Sequence, residues 1–155
     1  MKKFLLSGFL GLISSFSFGA SNGFTPLMTA GVINLGRCHM GSCSWSQSQS
    51  TKILSNTKTE MMLEATILGG TSPFDPEEDH SPSDRNIIWN KKPHKVVVYC
   101  SHTWPRTSLD KEISSFNFKE GIPGFLESDA SLYFEYCHSF TGSPYQAITE
   151  FGYDK

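Results

Sequence analysis

Three of the four cysteines stand beside a histidine: Cys38-His39, Cys100-Ser-His102 and Cys137-His138. Thiolate and imidazole together suit Zn²⁺ or copper, and Met40 adds a soft thioether next to the first pair. The spacing speaks against a structural metal site. Such sites present two ligands on a Cys-x₂₋₄-Cys knuckle and then repeat it, whereas only Cys38 and Cys43 fit here and the other ligands are scattered. Oxidation would also remove the thiolates, and an even number of cysteines in an exported chain reads as two disulfides. Three pairings are possible. We favour Cys38 with Cys43, which one short turn separates, and Cys100 with Cys137.

Other chemistry is weaker still. Gly41-Ser-Cys43-Ser-Trp45 resembles the signature around papain-type nucleophiles, but a serine separates Cys43 from Trp45. Too few residues follow Cys43 to hold the histidine that such enzymes carry roughly 130 or more positions downstream. Asp75-Pro-Glu-Glu-Asp-His80 offers hard oxygen ligands without the alternating acids, central glycine and terminal glutamate of a calcium loop. Gly-x-Ser-x-Gly, Ser-x-x-Lys, His-Glu-x-x-His and phosphate-cradling glycine loops do not occur. No catalytic residue is assigned, and no cofactor or metal is called for. What remains is aromatic: three Trp and twelve Phe. Trp104-Pro105-Arg106 follows the end of a predicted strand, and Trp and Arg are the residues that anchor protein interfaces.

These residues need elements to position them. Lys2 and Lys3, the apolar run Phe4 to Ile13 and the small-residue site Ser17-Phe-Gly19 read as a cleavable secretory signal over residues 1–19. The run is too short and too rich in Ser and Gly to anchor the chain in a membrane. Residues 20–155 then form a single globular domain. The signal removes two of the 13 basic side chains and none of the 15 acidic ones. The mature chain is therefore mildly acidic and lacks the positive field that nucleic acid or an anionic membrane surface would require.

Phe24 to Leu35, interrupted by Pro26 and Gly31, reads as an extended lead-in. The Ser/Gln-rich stretch from Gly41 to Ser50 runs into Thr51-Lys-Ile-Leu54 and reads as a polar strand. From Glu60 to Leu68 the alternation sets Met61, Leu63, Ala65 and Ile67 on one face, ending at Gly69-Gly70. A longer loop, Ser55 to Thr59, would join the two into a hairpin. Thr71 to Asn86, with three prolines and five acids, reads as a surface loop. Ile87-Ile-Trp89 and Val96 to Cys100 are strands, the second continuous, β-branched and in the core. Leu109 to Phe118 fits a short helix or a strand equally. Gly121 to Gly124 is a turn. Ser128 could cap a helix over Asp129 to His138, with Gly142 and Pro144 as stop signals. The competing strand would place Leu132, Phe134 and Tyr136 on one face.

The expected fold is thus α+β and β-rich, a small antiparallel sheet with one C-terminal helix, stabilised by disulfides. The leading function is an exported, non-catalytic binding protein of the bacterial envelope type, periplasmic or secreted: an inhibitor, an immunity-like factor or an envelope component. Its partner would be another protein or envelope macromolecule. The alternatives are a periplasmic metal-binding protein using the Cys/His pairs, and a small hydrolase whose histidine would have to lie within reach of Ser or Asp.

Overall fold

A computed structural model describes residues 23–75, 77, 82 and 86–155. The expected signal at 1–19 and most of the acidic loop lie outside the described residues. Seven strands form one antiparallel sheet: β1 (Ile33–His39), β2 (Ser42–Asn56), β3 (Glu60–Pro73), β4 (Ile88–Trp89), β5 (His94–Ser101), β6 (Arg106–Leu109) and β7 (Glu112–Ser115). Their order is β1-β2-β3-β5-β6-β7, with the short β4 also paired to β3. The sheet is larger than the small one expected. It curls around helix α1 (Glu127–His138), which touches β1 as well as β5 and β6. A second helix, α2 (Pro144–Glu150), follows, so the single C-terminal helix is corrected to two. Pro144 does not stop a helix; it occupies the first turn of α2, where its missing N–H is no loss. Among the described residues no helix is long and apolar enough to cross a membrane.

The alternation in β3 works as expected. Met61, Leu63, Ala65 and Ile67 are buried, opposite buried Val96, Val98 and Cys100 of β5. These residues form the core with Ala130, Tyr133, Phe134 and Cys137 of α1. β3 does not end at Gly69-Gly70, however, but runs on to Pro73. The glycines mark a close approach instead. A Cβ on Gly70 would stand 2.6 Å from Ile87 Cγ2 and 2.7 Å from Trp89 Cε3, so β3 must be bare at this position for those side chains to cross it as β4 pairs alongside.

Residues Leu109 to Phe118, ambiguous in sequence, include a tight hairpin. Asp110 and Lys111 have φ of 48° and 75°, and Leu109 faces Glu112 across this two-residue turn. Turns of this left-handed type match the twist of paired strands, although they are usually written with Gly or Asn. A similar turn, Met40-Gly41, with φ of 49° and 78°, joins β1 to β2. α1 starts earlier than expected. Leu126 precedes its first residue, and Ser128 lies inside the first turn, where its hydroxyl meets Ser44 rather than capping the helix. At the other end the extended lead-in straps over α1: Thr25 N–H donates to Cys137 O and Leu27 N–H to Tyr136 O.

Candidate functional site

Both disulfides join the partners that sequence spacing favoured. Cys38 and Cys43 face each other across the β1–β2 turn, and Cys100–Cys137 ties the central strand to α1 with the Cα atoms 5.5 Å apart. All four thiols are consumed, so the Cys/His pairs keep no thiolate for a metal. His39 is exposed at a strand end, far in role from the other two histidines. His102 and His138 do come together, with ring centroids 6.3 Å apart, Phe24 beside both, and Tyr153 4.7 Å from the His102 ring.

His138 is buried. Burial, and then the neighbouring His102, push its imidazole down to about 4, so it is neutral near pH 7. Hydrogen-bond counting fixes its role. Tyr133 OH donates to Ser101 O and receives the Ser101 N–H. The proton between the Tyr133 and Tyr153 hydroxyls, 2.8 Å apart, must therefore come from Tyr153. That leaves the Tyr153 oxygen as acceptor for His138 Nε2–H at 2.9 Å. The three hydroxyl and imidazole protons of this chain are thus committed, and the cluster braces α1 against the C-terminal segment. Among the described residues neither His102 nor His138 is hydrogen-bonded to a Ser, Thr or Asp side chain, the pairing that a hydrolase reading needs.

Trp104 and Arg106 occupy a different setting. The Ser101 hydroxyl accepts the N–H groups of Thr103 and Trp104 and shapes the turn between β5 and β6. Pro105 stiffens that turn, and its carbonyl accepts Phe116 N–H. The Arg106 guanidinium then lies 3.9 Å from the Trp104 ring centroid and 4.0 Å from that of Tyr99, its partner in β5. Glu60 Oε2, at 3.2 Å, and the Trp104 carbonyl, at 3.1 Å, accept from Nη1. Arg106 is thereby held on four sides, with its side chain only 11% exposed, while Trp104 remains 56% exposed. The register sets Met62, Tyr99, Arg106 and Ser115 in one row across β3, β5, β6 and β7, and the next row on the same face, through Glu64, Val97 and Ser108, ends at exposed Ile113. Sequence reasoning located Trp104 and Arg106 because they are neighbours. It missed Glu60 and Tyr99, which only strand register brings to them.

The opposite face of the sheet holds a polar seam that sequence reasoning also missed. The inward side of β1 and β2 is built from Asn34, Ser44, Ser46 and Ser48, and the facing side of α1 from Ser128, Ser131 and Glu135. Ser44 and Ser128 hydroxyls are 3.1 Å apart, and Ser131 donates to Glu127 O and reaches Gly36 O at 3.4 Å. Glu135 is fully buried and accepts Asn34 Nδ2–H at 3.2 Å and Ser46 Oγ–H at 3.4 Å, both on Oε2. Its Oε1 has no partner among the described residues. Loss of water outweighs those two bonds and pushes the carboxyl up to about 7. The spacing of Ser128, Ser131 and Glu135 along one helix face was the available signal.

Comparison of the chain with protein-family models, with curated proteins and with solved structures found no match in any of the three.

Proposed function

We propose that this chain is an exported, non-catalytic protein that binds another protein through the sheet face around Trp104. The observation that carries this reading is an exposed indole fixed in place before any partner arrives. Large rigid aromatics anchor interfaces because they bury much area, and a side chain already ordered loses little entropy on docking. Arg106, clamped between Tyr99 and Trp104, supplies that order. Export is supported by the signal-like N-terminus together with two disulfides, bonds that persist in oxidising compartments such as the periplasm. The mature chain would then begin at Ala20.

A photo-crosslinking amino acid at Ile113, next to the Arg106 row, tests the reading in the producing cells. The expected result is a discrete adduct in the exported fraction that Trp104→Ala removes, with none from the same group placed at Ser50 on β2. An adduct that survives Trp104→Ala, or that forms equally at Ser50, would sink the assignment. N-terminal sequencing of the exported material checks the cut.

A further inference from the structure

The seam between the sheet and α1 opens into a cleft of about 200 Å³. Its floor is made of Ser44, Ser46, Ser128 and Ser131, and Asn90 and His94 stand beside it from the β4–β5 segment. Glycines keep it open. A Cβ on Gly36 would come within 2.7 Å of Ser44 Oγ and 3.0 Å of Ser128 Oγ, and one on Gly69 within 2.9 Å of Asn90 Nδ2.

We infer that this cleft binds one uncharged sugar ring, either a free monosaccharide or the end unit of a glycan. Three observations lead there. First is size: a cavity of about 150 Å³ takes a bare six-membered ring, so this one takes such a ring with small substituents. Second is polarity. Ser46 gives its proton to Glu135 and Ser131 gives its own to Glu127 O, so both oxygens face the cleft as acceptors suited to ligand hydroxyls. Asn90 can donate and accept. Third is the lack of fixed charge: among the described lining residues there is no Asp, Glu, Lys or Arg and His94 is the one titratable side chain, so a charged ligand would lose its hydration with no permanent charge to pair it. Ile67 and Leu132 add the apolar patches that the C–H faces of a sugar need. The site is separate from the Trp104 face and does not depend on that reading.

The test is an NMR titration of the full mature chain with D-glucose, D-galactose, D-mannose and N-acetyl-D-glucosamine, with phenol as an uncharged, apolar ring of similar size. The expected result is saturable shifts at the Ser46, Gly69 and Gly70 amides for at least one sugar, with millimolar affinity. Asn90→Ala should weaken binding about tenfold, the loss of one hydrogen bond to the ligand. Gly69→Val should abolish it by filling the cleft. An unchanged unfolding midpoint shows that each variant folds. If no sugar saturates, if phenol binds as well as the sugars, or if neither folded variant changes the affinity, the inference is wrong. A β-linked disaccharide of the binding sugar separates the two sources: retained binding identifies a chain-end reader, and lost binding a receptor for the free sugar.

Discussion

Replacing Glu135 by Gln removes a buried carboxyl whose ionisation folding opposes, and the consequence can be worked out with its sign. Unfolded, this carboxyl titrates near 4.5; folded, burial pushes it up to about 7. Between those values the folded chain holds a proton that the unfolded chain has released, so stability falls as pH rises through this window. At about 1.4 kcal/mol per unit, the loss is about 3 kcal/mol by pH 8. His138 works in the other direction. Its imidazole is pushed from 6.5 down to about 4, so the folded chain refuses a proton that the unfolded chain takes up, and stability falls as pH drops through that window, by up to about 3 kcal/mol.

The two windows overlap between 4.5 and 6.5, where opposite slopes cancel in the natural chain. Glu135→Gln exposes the histidine slope alone. Urea unfolding, followed by Trp fluorescence from pH 4 to 8 at fixed ionic strength, measures it. Misfit of the amide against Asn34 and Ser46 costs the same at every pH, about 1 kcal/mol for a disturbed hydrogen bond, and drops out of the comparison. The variant should therefore gain about 3 kcal/mol on the natural protein between pH 4.5 and pH 8, whatever its starting deficit. A difference that stays flat within about 1 kcal/mol over that range would mean that Glu135 ionises normally, and the account of a dry seam would be refuted.

Further expectations concern the braces of the fold. Cys100 and Cys137 close a span of 37 positions and Cys38 and Cys43 one of 5, so loop entropy makes the first pair worth more, by about 2 kcal/mol. Paired Ala replacements compared by chemical unfolding check the order, and equal losses would contradict it. Arg106→Ala should cost about 2 kcal/mol because it strands Glu60 and both rings, while Trp104→Ala should cost under about 1, since most of that indole is exposed; thermal unfolding of both variants decides. Gly70→Ala should cost about 1–3 kcal/mol by pushing β4 off β3, seen as a lower unfolding midpoint and as faster hydrogen exchange at Trp89.

The parts of this fold that could be read from sequence are those where one local pattern decides the structure. Val96 to Cys100 is β-branched without interruption, and the face Met61, Leu63, Ala65, Ile67 alternates strictly; both lie in the core where those patterns put them. The disulfide pairing followed from separation alone. Where a residue serves a distant neighbour, the pattern misleads. Gly69-Gly70 looks like the end of a strand because glycine weakens strands, yet the glycines are there because Asn90 and Trp89 approach from another segment. Asp110-Lys111 takes up a left-handed turn without glycine because the β6–β7 pairing holds it.

The same reasoning explains why both candidate surfaces were only half visible. Ser42, Ser44, Ser46, Ser48 and Ser50 repeat with the period of a strand, which is enough to say that β2 has a polar face but not that α1 buries part of it. Asn34 and Glu135 are 101 positions apart, and nothing in either neighbourhood announces the other. A polar face placed against a helix would ordinarily be replaced by apolar side chains of like volume, because a half-satisfied polar seam is less stable than an apolar one. Here the seam opens on a cleft that Gly36 and Gly69 keep clear, while the aromatic core is packed on the other side of the same helix. α1 therefore separates two environments: Tyr133, Phe134 and Cys137 hold the fold together, while Ser128 and Ser131 line a polar space and Glu135, buried behind Ser46, gives up some of that stability. The cost of Glu135 ionisation measures that concession, and the sugar titration asks what it serves.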